Sequence, residues 1–312
     1  MFQALLCHAL SRRAGAINLR CVALVLFGLF AFFIPRAQAE ELRFKLGDQQ
    51  RRALVVNAAP AGPKRPFVIV LHGGRGNAED MQRRTGFSDL ARRENFGVAY
   101  AEGTAWGRNT HAWNTGHLMR GQVGSADDIG YFDTLIDNLV KRYGADPQRI
   151  YMTGGSNGAM MIFVYAVQRP EKLAAIAPVV GAMFSFEQRP RVPLPIMMIN
   201  GAADEEVPVQ GGMSRNRQVR AGQATPYKPL TETVDFWVNA NRSQRPPQSK
   251  ITGSYTTHTY NALPGGAVTI SIVDSVGGHG WPGTSSRRAE NTPISAFNGA
   301  EKVWSFLRTQ RR

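Results

Sequence analysis

Cysteine is nearly absent. The 312 residues hold two, Cys7 and Cys21, and both precede Glu40. Beyond Cys21 no disulfide can form and no thiolate can serve as nucleophile or metal ligand, so stability there must come from the core. Acids are scarce beside bases, 23 Asp and Glu against 37 Lys and Arg, for a formal charge of +14. Histidine is scarcer still, six in all, which leaves few candidate bases. His111 and His117 lie six apart with no third ligand in view, so no metal is expected. The chain has no internal repeat. No Gly-Lys-Ser/Thr follows its glycine-rich segments, which excludes a phosphate loop. Its arginines are dispersed as Arg83-Arg84, Arg92-Arg93, Arg287-Arg288 and Arg311-Arg312. No basic stripe interleaved with aromatics points to nucleic acid.

The longest apolar run, residues 21–34, has fourteen residues. A membrane span needs about 20. Arg12, Arg13 and Arg20 flank it without any acid, and Ala37-Gln38-Ala39 before Glu40 forms a small-residue cleavage site. Residues 1–39 therefore read as a secretory signal peptide. An uncleaved anchor is the competing reading. Cleavage would take both cysteines and four arginines, leaving a formal +10 on a secreted or periplasmic chain with no stable membrane anchor. Residues 40–312 suffice for one domain with a large core. The remaining positive charge fits either attraction to anionic esters and surfaces or an ordinary basic surface.

The most informative segment is 150–160, Ile-Tyr-Met-Thr-Gly-Gly-Ser-Asn-Gly-Ala-Met. An apolar strand runs into Gly154-Gly155-Ser156-Asn157-Gly158 and then into the apolar start of a helix. G-x-S-x-G in this context forms a nucleophile elbow, a strained turn that lifts Ser156 Oγ above the sheet. An elbow requires an acid and then a histidine downstream. Asp204 is the first carboxylate after the buried run 194–200, in Gly201-Ala202-Ala203-Asp204-Glu205-Glu206. Glu205 and Glu206 are the alternatives, though a solvated acidic turn is the ordinary reading of Glu206. Among histidines only His258 and His279 follow Asp204. His258 sits in an alternating strand, while His279 lies in a glycine-rich loop after strand 268–273.

A tetrahedral oxyanion also needs preorganised N–H donors. One is the amide of Asn157, directly after the serine. The second should come from His72-Gly73-Gly74-Arg75-Gly76 after strand 67–71, with Gly74 the choice and Arg75 the alternative. His72 precedes the nucleophile, the wrong order for a base in this fold, and reads as a loop-shaping residue.

These motifs resemble a known family. Leu71-His72-Gly73-Gly74, Ala112-Trp113-Asn114, Asp127-Asp128-Ile129-Gly130-Tyr131, the Ser156 elbow, Asn200-Gly201 with Asp204 and Val207-Pro208, and Gly278-His279-Gly280-Trp281-Pro282-Gly283 match, in order, the esterase group of poly(3-hydroxybutyrate) depolymerases and bacterial feruloyl esterases. The resemblance covers residues 44–307. It implies Ser156 as nucleophile, Asp204 as acid, His279 as base, and Gly74 and Asn157 as oxyanion donors. It also implies Trp113 and Trp281 near the acyl pocket, and no cofactor. Two departures matter. Many relatives carry cysteine at the positions of Gly74 and Ala112. Extracellular polymer depolymerases usually add a surface-binding domain, whereas this chain stops one helix after His279. Both point toward soluble or oligomeric esters, hydroxyalkanoate or hydroxycinnamoyl, cleaved through an acyl-enzyme. An acyltransferase on the same scaffold, a peptidase and a non-catalytic binding protein are the alternatives. The oligomeric state is not encoded in any motif.

Strands alternating with short helices predict an α/β-hydrolase fold, a mostly parallel sheet covered on both faces. Segment 77–95 reads as a helix broken near Gly86, 127–143 and 157–168 as helices, and 97–101 and 149–153 as buried strands. Segment 103–125 reads as an aperiodic loop, and 210–229 as a mobile polar loop. In the helix at 127–143 adjacent Asp127 and Asp128 suit the first turn and its dipole; adjacent helical residues point apart, which argues against a catalytic carboxylate pair.

Overall fold

The computed structural model describes residues 39–59, 62–284, 294 and 296–312; the expected signal peptide lies outside them, apart from Ala39. Two antiparallel strands open the described chain, β1 (Glu40–Leu46) and β2 (Gln49–Val56). β3 (Arg65–Leu71) follows. Asn77 then caps α1 (Ala78–Thr85) by accepting the N–H of Asp80. Gly86, at φ 76°, ends α1 and starts α2 (Phe87–Glu94). A left-handed residue breaks one amphipathic segment into two short helices, as the sequence predicts. β4 (Gly97–Ala101) is wholly buried.

The 103–125 segment is less irregular than expected. It contains the hairpin β5 (Thr104–Gly107) and β6 (Thr110–Ala112) and a single turn of helix, α3 (Arg120–Val123). Strands of three and four residues are too short to leave a readable alternation. α4 (Asp128–Arg142) starts at Asp127, whose side chain accepts the N–H of Gly130. β7 (Ala145–Gly155) leads through Ser156 into α5 (Asn157–Gln168). β8 (Ala175–Val179) and β9 (Ile196–Gly201) complete the buried centre of the sheet.

The 210–229 segment is pinned rather than free. It carries α6 (Arg217–Ala221), Gly212 and Tyr227 exchange both backbone hydrogen bonds, and Tyr227 is buried. A polar composition hid this because the anchoring is tertiary. α7 (Leu230–Ala240) follows. A hairpin of β10 (Gln248–Thr252) and β11 (Tyr255–Tyr260) then leads to β12 (Thr269–Asp274) and α8 (Gly299–Leu307).

The ten main strands lie in the order β1-β2-β4-β3-β7-β8-β9-β12-β11-β10. From β4 to β12 neighbours run parallel, and antiparallel strands close both edges. β3 explains the layering. Phe67, Ile69 and Leu71 face one core with α4, α5 and α7, while Val68 and Val70 face the other with α1, α2 and α8. All five are fully buried, and each contributes about 1.5–3 kcal/mol of hydrophobic free energy. In such a sheet the carboxyl ends of the parallel strands gather the loops that can bind and react. β3, β7, β9 and β12 end there with His72, Ser156, Asp204 and His279 in the loops that follow.

Candidate active site

Ser156 joins β7 to α5 at φ 56°, ψ −125°. A non-glycine residue at positive φ costs about 1–3 kcal/mol. The turn is held by the Ser156 N–H donating to Val179 O and by Met160 N–H donating to Ser156 O, both at 3.0 Å. The flanking glycines have a steric reason. A Cβ on Gly154 would lie 2.5 Å from Leu71 O, and one on Gly158 2.5 Å from His72 O. Only bare Cα positions let α5 and β7 close onto the end of β3.

The loop after β3 lies directly against the elbow. A Cβ on Gly73 would stand 3.3 Å from Ser156 Cβ, and one on Gly74 3.7 Å from Asn157 Cβ. His72 is fully buried at its root. Its Nε2 accepts the N–H of Gly103 at 2.9 Å, which puts the proton on Nδ1 to donate to Gly73 O at 2.7 Å. Burial pushes its pKa down to about 4 against that hydrogen bond, so it stays neutral and braces the loop. The amide of Arg75 donates to His111 O at 2.9 Å. Among the described residues the amides of Gly73, Gly74 and Asn157 have no acceptor beside Ser156, and Gly74 and Asn157 keep the positions expected of the oxyanion donors.

The tryptophans sit elsewhere than expected. Trp113 has no exposed surface. Its indole donates to His72 O at 2.8 Å, and its backbone is gripped by the Asn157 side chain, which accepts Trp113 N–H at 2.7 Å and donates to Trp113 O at 3.1 Å. It ties the glycine loop to the elbow instead of lining an acyl pocket. Trp281, 6% exposed, packs edge-on against Phe87 in the opposite core. Sequence position places both near the site, but the direction of a ring depends on packing. The amide clamp of Asn157 is a role that the elbow pattern does not encode.

Asp204 follows β9 and is buried. Its Oδ1 accepts the N–H groups of Glu206 at 2.9 Å and Val207 at 2.8 Å, and its Oδ2 lies 2.8 Å from Nδ1 of His279. Ala202 N–H donates to Asp274 O at 2.8 Å and Ala203 N–H to Gly277 O at 2.9 Å, so the acid and histidine loops are sewn together. His279 is largely covered, its side chain 9% exposed, which works against its charged form. The charge and hydrogen bond of Asp204 and the charge of Glu206 outweigh that, and its pKa is raised. With Nδ1–H given to Asp204, Nε2 is the free basic edge. It faces Glu206 Oε2 at 3.5 Å. Ser156 Oγ has no hydrogen bond to His279 among the described residues; such contacts are often loose without substrate. The alternatives lie elsewhere: Glu205 is exposed, and His258 hydrogen-bonds Ser249 across the β10–β11 edge.

A cavity of about 250 Å³ begins one helical turn past Ser156. Met160, Phe163, Val164 and Val167 of α5 form one wall, a stripe at helical spacing, and Met183 and Phe184 the other. Thr115, His117 and Ser185 give it polar edges.

A strained serine between strand and helix, an acid and a histidine on later loops and a mostly parallel sheet together define an α/β-hydrolase. Solved structures share the fold. An acetyl xylan esterase from Aspergillus awamori superposes with a TM-score of 0.59 at 16% identity, covering 86% of this chain and 98% of that one. Residues 51–211 match the family described as Esterase PHB depolymerase. The chain is 31% identical over 249 residues to NocK of Nocardia uniformis subsp. tsuyamanensis, named as an esterase, covering 74% of this chain and 71% of that protein. It is 25% identical over 251 residues to poly(3-hydroxyalkanoate) depolymerase C of Paucimonas lemoignei, covering 80% of this chain and 56% of that one. Feruloyl esterase B of Piromyces equi is 26% identical over 222 residues, 69% of this chain and 39% of that one. The chain belongs to the PHB depolymerase esterase family and is a carboxylic ester hydrolase.

Proposed function

We propose that this chain is a secreted serine esterase in which Ser156, His279 and Asp204 form the catalytic triad. Its substrates are hydroxyalkanoate oligomers or hydroxycinnamoyl esters. The observation that carries the reading is the 2.8 Å contact of His279 Nδ1 with Asp204 Oδ2, on loops at the same end of the parallel strands as an elbow serine at φ 56°. His279 Nε2 takes the proton of Ser156 as Oγ attacks the ester carbonyl. Asp204 holds the tautomer and stabilises the imidazolium. The amides of Gly74 and Asn157 hold the oxyanion. Collapse of the intermediate expels the alcohol, which takes the proton from His279. Water, activated by the same nitrogen, then releases the acid from Ser156.

The cavity beside α5 supports a substrate with a short apolar acyl group carrying a polar end. Both substrate classes have one, and each is named in a relative. The apolar run and cleavage pattern of residues 21–39 support secretion. The test is product release from methyl ferulate and from 3-hydroxybutyrate oligomers, side by side, with Ser156→Ala as control. Ser156→Ala should abolish turnover while leaving the fold intact. Full activity in that variant would overturn the assignment, and activity of the parent on neither ester would overturn the substrate class.

A further inference from the structure

One turn carries three carboxylates, and the imidazole of His279 lies between two of them. Asp204 Oδ2 is 2.8 Å from Nδ1 and Glu206 Oε2 is 3.5 Å from Nε2. The turn enforces this arrangement. Asp204 Oδ1 accepts the backbone N–H of Glu206 itself, so the residue that orients the histidine also fixes the root of the second acid. The Glu206 side chain is 18% exposed and that of His279 9%, so the charges meet where water screens them only in part.

Nε2 is the edge that must serve Ser156. Its relation to Glu206 depends on the proton. When Nε2 is protonated, Glu206 accepts from it or attracts it. When the imidazole is neutral, Nε2 offers a lone pair that a carboxylate cannot meet and that a hydroxyl, such as that of Ser156, can. We propose that Glu206 is a positioning residue that controls the proton on His279, stabilising the imidazolium at Nε2 and yielding the neutral ring to Ser156. This rests on the triad reading above.

Two consequences follow, and they have opposite signs. In the resting enzyme Glu206 keeps His279 protonated to higher pH, so fewer molecules carry the free base in mildly acidic solution. During attack the same carboxylate stabilises the imidazolium as it forms. The titratable groups facing the ring among the described residues are Asp204, Glu206 and, beyond them, the buried phenol of Tyr227. Burial and the two acids push the Tyr227 pKa up, so it carries no charge in the range concerned.

The experiment is the pH profile of kcat/KM for p-nitrophenyl acetate from pH 5 to 9, in the parent chain, Glu206→Gln, Glu206→Asp and Ser156→Ala. Far-UV circular dichroism and the urea midpoint report folding of each variant. Glu206→Gln should move the acidic limb down by about one pH unit and lower the plateau about threefold to tenfold. Glu206→Asp keeps the charge and should bring the limb back toward the parent. The pH dependence of inactivation by a serine-directed phosphonate should move with the limb. An unmoved limb in folded Glu206→Gln overturns the proposal. So does an equal shift in both variants, which would assign the effect to side-chain packing instead of charge. If Glu206→Gln does not fold, Glu206→Ala takes its place, and an unmoved limb in folded Glu206→Ala overturns it as well. Activity in Ser156→Ala would instead remove the triad reading on which it rests.

Discussion

Replacing Asp128 by asparagine keeps the shape of a buried side chain and removes one charge. Asp128 is 2% exposed. Its Oδ1 lies 2.7 Å from Arg51 Nη2, and its Oδ2 accepts the N–H of Asn114 at 2.7 Å. Arg51 is equally secluded: its guanidinium lies 4.2 Å over the Tyr131 ring and also donates to Glu102 O. Its Nε and Nη1 have no hydrogen-bond partner, so Asp128 is its anion in the core. An asparagine has one acceptor oxygen where the carboxylate has two, so its NH2 must face either the guanidinium or the Asn114 N–H. Stranding a buried charge in this way costs about 3–5 kcal/mol. For a domain of this size each kcal/mol lowers Tm by about 2–4 °C, so the expected fall is about 6–20 °C. The assay is urea and thermal unfolding followed by circular dichroism. Because Asn114 follows Trp113, the esterase rate should fall too as the loop over the elbow loosens. Arg51→Met combined with Asp128→Asn removes the stranded cation and should recover most of the loss, since a buried pair is worth little more than its apolar replacement. The reasoning fails if Asp128→Asn lies within about 0.5 kcal/mol of the parent, or if the double variant is no more stable than the single one.

Two further outcomes are expected. Asp204→Asn should lower kcat/KM by about 10³–10⁴ by stabilising the wrong tautomer. It should also move the acidic limb down, because Asp204 raises the pKa of His279; a variant with an unchanged limb would detach Asp204 from the base. His72 titrates in the opposite sense. Its native pKa is lowered from 6.5 to about 4, so between these values the unfolded chain takes up a proton that the native one refuses. Its contribution is fully present above pH 6.5 and lost as pH falls to 4, on the order of 3 kcal/mol in all. Unfolding free energies of the parent and His72→Gln at pH 7 and pH 4.5 test this: the parent should lose more on acidification, and equal losses would refute it.

Much of the candidate site was legible because its demands are local. Gly154 and Gly158 must lack Cβ atoms where α5 crosses the end of β3, and such a need leaves a pentapeptide signature. Chain order then limits the base to two histidines, and loop composition separates His279 from His258. Other features required folding. Gly74 was the choice of second donor in sequence, but Arg75 stayed open as the alternative until its amide was found donating to His111 O. Trp113 and Trp281 flank the site in sequence, yet tertiary packing turned both rings into the cores. Glu206 read as an acid on a solvated turn until the fold brought His279, 73 residues later in the chain, to its side.

By itself, then, the sequence determined the alternation of strands and helices, the strained serine turn and the order of the groups that follow it. These depend on side-chain periodicity and on where the backbone needs glycine, properties of a few consecutive residues. The tertiary structure alone decided which polar atoms meet: Arg51 with Asp128 across 77 residues, Asn157 with the backbone of Trp113, and Glu206 with Nε2 of His279. Those pairings arise only when separate strands are laid side by side, because a buried donor must find its acceptor in whatever segment the fold brings next to it.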